Sequence, residues 1–263
     1  MSNKKLISVA LTAYNIAPYI EEAMDSVIKQ KGEGFDVELV IGEDCSTDNT
    51  REIIQKYEAK YPNIVKPLYY EKNKGLMGNL LTVLDACKGE YTAIIDGDDY
   101  WLYEDKLARQ FKVMEENPEV ALCLHNTLRI CVNPNTNKFE VTGKQNENDL
   151  KTWHNFEDVI NFAFPGYTST MFFRSAWLEK PDWLMDGLSN SDSSLMTLLA
   201  EKGSVYFSNE PQSAYRTHPT NYSKGTNTKK IRDAMFKYYH LLNKHYDYKY
   251  DSIIRPKIYY YKF

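Results

Sequence analysis

The chain has 263 residues, of which 43% are hydrophobic, 26% charged and 14% aromatic. This composition excludes a disordered or collagen-like protein, and the length suits one large α/β unit or two lobes that share a core. A net charge of −4 gives no general attraction to nucleic acid, and no run approaches the roughly 18 apolar residues of a membrane helix. Residues 6–11 are too few for the apolar part of a secretory signal, so we expect a cytoplasmic enzyme.

Cysteine usage indicates neither a metal cluster nor a disulfide scaffold. The four cysteines lie at positions 45, 87, 123 and 131, and no two of them form a Cys-x-x-Cys pair. Structural zinc sites need close pairs of thiolates, and disulfide scaffolds occur in shorter chains that are richer in cysteine. We therefore expect reduced thiols that fill small buried spaces.

The first hundred residues alternate between strand and helix patterns. We predict strands at 6–11, 37–41, 64–70 and 91–95. Between these strands we predict three helices. The first spans 18–30, the second begins after the capping residues 46–49, and the third spans 76–87. This βαβαβαβ order indicates a parallel sheet with right-handed crossovers, and ligands of such sheets bind beyond the carboxyl ends of the strands.

Polar side chains follow three of these strands directly. Residues 12–15 follow the first strand, Glu43 and Asp44 end the second, and Asp96–Asp99 follow the fourth. These groups meet at one edge of the sheet, where the acidic side chains repel each other unless a cation lies among them. Asp is also a common helix cap, and capping is the competing interpretation for Asp48.

The second half of the chain is less regular. We first predict a helix at 104–117, a strand at 120–132, a hairpin tip at 133–137 and a polar surface loop at 143–151. A short helix at 155–163, a strand at 167–173 and a helix from 189 that Gly203 ends should follow. The last predicted elements are two short strands within 204–217, a helix from 226 to about 245, and a tail rich in Tyr and Lys.

Carboxylates one residue apart at a strand end suit a hard divalent cation. Mg²⁺ and Mn²⁺ take oxygen ligands, often one or two carboxylates together with phosphate oxygens of a substrate. The loop after the first strand lacks the Gly-x-Gly-x-x-Gly of dinucleotide sites, and the chain has no Walker A motif. We therefore expect phosphate to be held through a metal ion.

Over about residues 5–220 the chain resembles the family 2 glycosyltransferases of the GT-A fold. The resemblance rests on five short motifs in the family's order: Tyr14-Asn15, the Glu43–Asp48 stretch in place of Asp-Asp-Gly-Ser-Thr-Asp, Asn73-Lys74-Gly75 with Asn79, Lys88–Tyr91, and Asp96–Asp99. The chain departs from the usual pattern at two points. Thr12-Ala13 replaces the usual Pro-Thr, and Cys45 replaces a glycine.

The resemblance implies the fold class and its division. We expect an α/β GT-A fold, a Rossmann-like and mostly parallel sheet flanked by helices, with a small mixed acceptor-side subdomain and a helical C-terminal tail. Residues 1–110 would form the half that binds the nucleotide-sugar, residues 111–225 the acceptor-binding half, and residues 226–263 a helical extension.

The resemblance also implies a nucleotide-sugar donor, an Mg²⁺ or Mn²⁺ ion, and transfer with inversion. By similarity Tyr14 flanks the base, and Asp44 accepts from its N3–H, which favours a UDP- or dTDP-sugar. Asp98 is expected at the ribose of the donor or at the metal, Asp99 at the metal and the diphosphate, and His218 would complete the metal shell. The other residues expected at the donor are Thr12, Asn15, Asn79, Asp96, Trp101 and Arg216. Trp101 would form a wall against the sugar, with core packing as the alternative, and Arg216 would hold the diphosphate.

Direct displacement with inversion needs one base to take the proton of the acceptor hydroxyl. By position in the family, Asp192 at the start of a helix is the expected base, with simple N-capping as the alternative and Asp186 as its rival. Many relatives have Gly-Asp or Glu-Asp where this chain has Ser191-Asp192.

The expected function is transfer of a sugar to a glycan or a lipid-linked precursor of a bacterial cell-surface glycan. A nucleotidyltransferase that makes nucleotide-sugars is an alternative, although its glycine-rich basic loop is missing. A non-catalytic binding module is another, against which the intact Asp98, Asp99 and Asp192 argue. We expect no nucleic-acid partner, and Arg255, Lys257 and Lys262 with their neighbouring tyrosines leave peripheral attachment to the inner face of a membrane open.

Overall fold

The structure is a computed structural model that describes residues 4–133, 136, 138–161, 166–185, 191–218, 221 and 228–262. Its first part is the predicted parallel unit, with strands in the order β3-β2-β1-β4. The elements are β1 (Lys5–Ala13), α1 (Ile20–Ile28), β2 (Phe35–Glu43), α2 (Thr50–Lys60), β3 (Val65–Tyr69), α3 (Gly75–Ala86) and β4 (Tyr91–Asp96). The predicted strands and helices of this part are confirmed.

The second part continues the same sheet with strands of mixed direction, in the order β4-β9-β6-β10-β5. Strand β9 runs antiparallel to both of its neighbours, whereas β6 and β10 are parallel to each other. The elements are β5 (Tyr100–Trp101), α4 (Lys106–Glu116), β6 (Val120–Val132), β7 (Phe139–Lys144), β8 (Trp153–His154), α5 (Phe156–Ile160), β9 (Phe172–Arg174), α6 (Ser191–Lys202) and β10 (Ser204–Thr217).

The strand predicted at 167–173 is wrong in its first half. Residues Thr168–Thr170 form a single 3₁₀ turn, and only Phe172–Arg174 is a strand. The Thr170 hydroxyl donates to the Tyr167 carbonyl at 2.7 Å. Ser and Thr side chains that bond to nearby backbone in this way compete with a sheet ladder.

Residues 204–217 form one strand and not the two short strands predicted. Strand β10 pairs with β6 along its length, with register shifts between Ser208 and Ser213. Pro211 lies within this irregular stretch, and proline cannot donate to a ladder. The bulge lets the strand continue, and so the same strand carries both Ser204 and Arg216.

The segment predicted as a polar surface loop at 143–151 is partly ordered and buried. Its first two residues end β7, and Asn146 is buried, where its backbone exchanges hydrogen bonds with the Asn126 amide at 2.8 and 3.0 Å. Helix α5 begins after Asn155, whose side chain forms a capping box with Asp158. Residues 134, 135 and 137 of the predicted hairpin tip and residues 162–165 after α5 lie outside the described residues.

The part of the chain after residue 245 is helical, in agreement with the expected helical C-terminal extension, and it contains a second helix that the Tyr/Lys-rich pattern did not locate. Helix α7 (Thr228–His245) is followed by α8 (Asp251–Lys262). Their inward residues form a core of their own, made of Met235, Tyr238, Tyr239, Leu242, Ile254 and Ile258 together with Ile160. None of the described helices combines the length and apolarity that crossing a membrane requires.

Helices cover both faces of the sheet. Ile20 and Met24 of α1, Ile54 of α2 and Leu107 of α4 join one face of the core. Leu80 and Val83 of α3, and Leu195 and Leu199 of α6, join the other. The four cysteines are free thiols, and only Cys123 is fully buried. The carboxyl ends of β1, β2 and β4 therefore lie together at one open edge.

Candidate active site

Two loops at this edge are fastened to each other by side chains. The Asn15 carboxamide oxygen accepts from the Thr47 backbone at 2.8 Å, and the Asn15 backbone donates to the Ser46 hydroxyl at 3.0 Å. Asp48 accepts from the backbone N–H groups of Thr50 and Ala17, each at 3.0 Å, so it joins the first turn of α2 to the loop after β1 and does more than cap a helix. Tyr14 stays 48% exposed between these loops. The arrangement leaves its ring available to a flat ligand.

Asp44 is buried against the start of α3. Its two carboxylate oxygens accept from the backbone N–H groups of Lys74 at 2.6 Å and Gly75 at 3.0 Å. Gly75 has a φ of +74°, a conformation that glycine adopts without strain. A carboxylate oxygen has further acceptor capacity beyond one bond, so a base contact by Asp44 stays a prediction.

Asn79 lies on the inner side of α3, where it is buried. Its amide donates to the Gly42 carbonyl at 2.9 Å. The structure thus gives Asn79 a fastening role between α3 and β2 and does not bring it to the β4 carboxylates. Contact between Asn79 and a donor stays a prediction.

The carboxylates at the end of β4 lie close enough together that their charges disfavour one another. The Thr12 hydroxyl donates to Asp96 at 3.3 Å. Burial, and next the charge of Asp98, raise the pKa of Asp96 to about 7. Asp99 is fully buried, and burial followed by the charges of Asp98 and Asp96 raises its pKa well above the usual value.

The two oxygens of Asp99 differ in their surroundings. Oδ1 accepts from the Arg216 backbone at 3.1 Å. Oδ2 is buried and makes no hydrogen bond of normal geometry among the described residues, although the Ser169 hydroxyl lies close enough to Asp99 to favour its ionised form. A buried carboxylate oxygen without a partner costs free energy unless a cation or a donor meets it. Asp99 therefore fits a role as a metal ligand.

The end of β10 supplies the partners of Asp98. His218 Nε2 lies 3.0 Å from Asp98 Oδ2, and the Asn221 amide lies 3.4 Å from the same oxygen. The His218 ring packs on Tyr19 with centroids 4.5 Å apart. His218 and Asp98 thus stand side by side, as two ligands of one ion would.

Arg216 contacts the Asp96–Asp99 loop and stabilises its position. Its guanidinium donates to the Asp98 carbonyl at 2.8 Å, pairs with Glu22 and lies 4.6 Å from the Tyr100 ring centroid. The side chain is almost completely buried. These contacts make Arg216 a positioning residue, and its contact with a diphosphate stays a prediction.

Trp101 is 4% exposed and belongs to the main core. Its indole N–H donates to the Ser169 carbonyl at 3.1 Å, and Lys106 Nζ lies 3.9 Å from the centroid of its ring. The structure favours core packing, the alternative that the sequence left open, over a wall against the sugar.

Asp192 lies within the first turn of α6, which begins at Ser191. Its Oδ1 accepts from the next backbone N–H, that of Ser193, at 2.9 Å. Burial raises the pKa of Asp192, and the charge of Asp192 in turn raises the pKa of Asp96. The candidate base is therefore close to the β4 carboxylates, while its rival Asp186 lies outside the described residues.

Tyr167 is a site neighbour that the sequence did not reveal. Its ring stacks on Tyr215 with centroids 4.4 Å apart and an interplanar angle of 4°, and its hydroxyl donates to Gln145 at 2.6 Å. Burial, then Tyr215, and more weakly Asp99 and Asp192, raise the pKa of Tyr167 to about 12. Glu22 and Asn221 were missed as well, because nothing near them in sequence distinguishes them from surface residues.

The donor set fits an open divalent-metal site better than a closed one. No three His, Cys, Asp or Glu side chains in the described part of the chain are grouped closely enough to hold an ion by themselves. Asp98 and His218, which lie 3.0 Å apart, and the neighbouring Asp99 are the candidate oxygen and nitrogen ligands. Mg²⁺ and Mn²⁺ commonly take the remaining ligands from substrate phosphates and water.

Comparison with known proteins identifies the family. The model of Glycosyl transferase family 2 matches residues 8–179, more than half of the chain. The chain belongs to this family.

Among curated relatives, the putative teichuronic acid biosynthesis glycosyltransferase TuaG of Bacillus subtilis is 39% identical over 113 residues, 43% of each chain. The uncharacterized protein Rv1520 of Mycobacterium tuberculosis is 41% identical over 119 residues, 45% of this chain. The match spans 34% of Rv1520, about a third of its length.

Two solved structures share the fold. S. aureus TarS 1–349 in complex with UDP superposes with a TM-score of 0.65 and 21% identity, covering 90% of this chain and 65% of that one. Mannosyltransferase PcManGT from Pyrobaculum calidifontis, in complex with GDP-Man and Mn²⁺, superposes with a TM-score of 0.61 and 17% identity, covering 92% and 65%. These likenesses confirm the expected GT-A fold class.

Proposed function

We propose that the protein is a metal-dependent, inverting glycosyltransferase that moves a sugar from a UDP- or dTDP-sugar to an acceptor hydroxyl. One observation carries the proposal: Asp99 is buried at the carboxyl end of the parallel sheet with one oxygen unpartnered among the described residues, beside the Asp98–His218 pair. Family membership, the UDP in the TarS structure and the Mn²⁺ in the PcManGT structure support it.

In this proposal Asp98, Asp99 and His218 hold Mg²⁺ or Mn²⁺. When bound, the cation supplies neutralisation of the charge that collects on the leaving diphosphate. Tyr14 lies against the base, and Asp44 accepts from its N3–H. Uracil and thymine carry a hydrogen at N3 that cytosine lacks.

Asp192 is the proposed base. It accepts the proton of the acceptor hydroxyl, whose oxygen attacks the anomeric carbon from the face opposite the diphosphate. The bond from the anomeric carbon to the diphosphate oxygen breaks as the new bond forms, which inverts the configuration. The raised pKa of Asp192 suits it to this role, because a base works best when its pKa lies closer to the working pH.

Calorimetric titration with UDP, dTDP and GDP, each with and without Mn²⁺, tests the donor site. UDP and dTDP should bind in the presence of Mn²⁺ at least about tenfold more tightly than GDP, because an unmatched polar edge costs about 1–3 kcal/mol. Asp99→Asn should abolish the effect of Mn²⁺, whereas Asp149→Asn at an exposed site is the matched control. Equal, metal-independent binding of all three nucleotides would contradict both the base contact and the metal site.

The acceptor belongs to the same proposal. We assign residues 1–110 to donor binding, residues 111–225 to acceptor binding and residues 226–263 to a helical extension. A hydroxyl of a glycan or of a lipid-linked glycan precursor is the proposed acceptor, and the teichuronic acid role in the name of TuaG supports a cell-surface glycan. A lipid-linked acceptor requires the enzyme to work beside a membrane surface.

A further inference from the structure

Charge is unevenly distributed along the chain. Residues 228–262 contain nine Lys or Arg and three Asp, a net charge of +6, although the whole chain has a net charge of −4. The rest of the chain therefore carries −10. Helices α7 and α8 hold this positive segment at the surface, packed on α5 through a shared apolar core and hydrogen-bonded to α6 through the Tyr238 hydroxyl.

The solvent-facing side of α7 is basic. Its exposed residues recur every three or four positions, which places them on one face of the helix. The polar ones are Lys229, Lys230, Asp233, Lys237, His240 and Lys244, and the apolar Ile231 is exposed beside them. The opposite face is buried through Tyr238, Tyr239 and Leu242. Helix α7 thus presents a cationic stripe along its length.

Exposed tyrosines accompany this positive charge. Tyr248 in the turn between the helices is 60% exposed, and Tyr259 and Tyr260 on α8 are 56% and 75% exposed. The exposed Arg255 and Lys262 lie on the same solvent-facing side of α8. The apolar Ile254 and Ile258 of α8 point into the core. The outward tyrosine rings are therefore not needed to hold α7 and α8 together.

We propose that the outer surface of α7 and α8 docks onto an anionic lipid bilayer. Lysines near a membrane surface are attracted to the phosphates of acidic lipids, and tyrosine rings settle at the level of the headgroups. The lysine charges and the tyrosine rings act together, and stable peripheral binding requires two such contributions. A flat bilayer meets only this face and leaves the acidic remainder of the molecule farther away, where salt screens its repulsion over about 10 Å.

A nucleic acid fits the same surface less well. The segment has seven lysines and only two arginines, whereas base edges are read most often by arginine. An extended polyanion would also approach the negatively charged remainder of the chain. Docking does not depend on the proposed transfer reaction, because none of the residues of this surface lies at the strand-end site.

Vesicle co-sedimentation of the whole chain tests the inference. Two vesicle types are compared, phosphatidylcholine alone and phosphatidylcholine with about one third phosphatidylglycerol. We expect binding to the anionic vesicles at least about tenfold tighter than to the neutral ones, with the difference lost in about 0.5 M salt. Equal binding to both vesicle types, or none to either, would overturn the proposal.

Two paired variants locate the surface. Lys229→Glu with Lys244→Glu should weaken binding to anionic vesicles about tenfold or more, and Tyr259→Ser with Tyr260→Ser should weaken it severalfold. Lys56→Glu with Lys88→Glu changes the net charge equally on exposed residues of the parallel unit and is the matched control. If the control pair weakened vesicle binding equally, binding would depend on net charge alone, and the proposal of a specific docking surface on α7 and α8 would be wrong.

Three further measurements test whether the effects are specific to lipid binding. Thermal unfolding midpoints of all variants should match that of the wild type, since every substituted side chain is exposed. A single-stranded oligonucleotide should not compete with the vesicles, and strong competition would replace the lipid partner by a nucleic acid. Binding of UDP with Mn²⁺ should be unchanged in these variants, so failure of the lipid proposal and failure of the transferase proposal are distinguishable.

Discussion

Asp96 shows that a side chain placed in a ligand site can lower the stability of the folded protein. Its pKa is raised to about 7 in the folded chain, so the folded state holds the proton more tightly than the unfolded state does. As the pH rises from about 4 through about 7, the free energy of unfolding should fall, because the unfolded chain loses this proton first. Asp99 acts in the same direction.

Asp96→Asn should therefore stabilise the protein without metal at pH 8 by about 1–3 kcal/mol, and have little effect near pH 4. Urea unfolding at the two pH values measures this difference. Asp149→Asn, at an exposed carboxylate, should show no such dependence on pH. A wild-type protein that gains stability between pH 4 and pH 8 relative to Asp96→Asn would contradict the prediction.

Asp192→Asn should lower the rate of sugar transfer by about 10²- to 10⁴-fold while UDP binding stays unchanged. The substitution keeps the size of the side chain and removes its basicity. Because burial raises the pKa of Asp192, wild-type activity should decline on the acid side at a higher pH than an ordinary aspartate would give. Initial rates across a pH series measure both effects.

Asp182→Asn, on an exposed residue of a nearby 3₁₀ turn, is the control for the Asp192 substitution. Its transfer rate and its pH profile should be those of the wild type. Transfer that survives Asp192→Asn at the wild-type rate would remove Asp192 from the mechanism. The loss of UDP binding along with transfer would instead make it a structural residue.

At the residue scale, the strand-end carboxylates were predictable because each follows directly on an apolar strand. Their partners were not, because they come from far along the chain. Arg216 reaches the Asp98 carbonyl across 118 positions of sequence, and Glu22 meets Arg216 across 194. Short patterns carry no information about such pairs.

The contact between β2 and α3 explains why the edge is so well fixed. A Cβ added at Gly42 would lie 1.8 Å from Asn79 Oδ1 and 2.5 Å from a Val83 methyl group. The close approach also lets the Asn79 amide reach the Gly42 carbonyl. Glycine at this position brings the helix down onto the strand that carries Asp44.

Gly42→Ala should accordingly destabilise the protein by about 1–3 kcal/mol, as overpacking of a buried site does, and weaken UDP binding. Gly78→Ala within α3 is the matched control, since its nearest contact is 3.2 Å and alanine favours a helix. Denaturant unfolding and UDP titration measure the two variants. Equal free energies of unfolding for Gly42→Ala and Gly78→Ala would mean that α3 can move away from β2 at little cost.

At the scale of elements, the sequence predicted the parallel unit well because alternating apolar strands and helices have distinct periods. It failed at residues 167–173, where side-chain bonds of threonine produce a turn within an apolar run. It also failed at 204–217, where a bulge at Pro211 keeps one strand continuous. The helical C-terminal extension was expected, but the bounds of its second helix were not, because Pro256 and the many tyrosines obscure the helical period there.

At the scale of the whole molecule, the C-terminal helices are coupled to the site through α6. The Tyr238 hydroxyl lies 2.7 Å from that of Thr197 and 3.3 Å from the Ser193 carbonyl, one residue from Asp192. Tyr238 is almost fully buried. Packing of α7 therefore helps to hold the first turn of α6.

Tyr238→Phe should lower the free energy of unfolding by about 1 kcal/mol, because it removes a buried hydrogen bond and little volume. Tyr248→Phe at the exposed turn should have no measurable effect. Urea unfolding of the two variants provides the comparison. Indistinguishable curves for both would mean that the hydroxyl contributes nothing to the attachment of α7.

The late position of β10 has a consequence for synthesis. A ribosome that has made the first hundred residues has incorporated every acidic side chain of the strand-end cluster, but not Arg216, His218 or Asn221. Domains commonly begin to fold while they are being translated. The charged loop is completed only after β10 enters between β6 and β5, and so an emerging polypeptide lacks a finished strand-end site until the residues up to Asn221 have been translated.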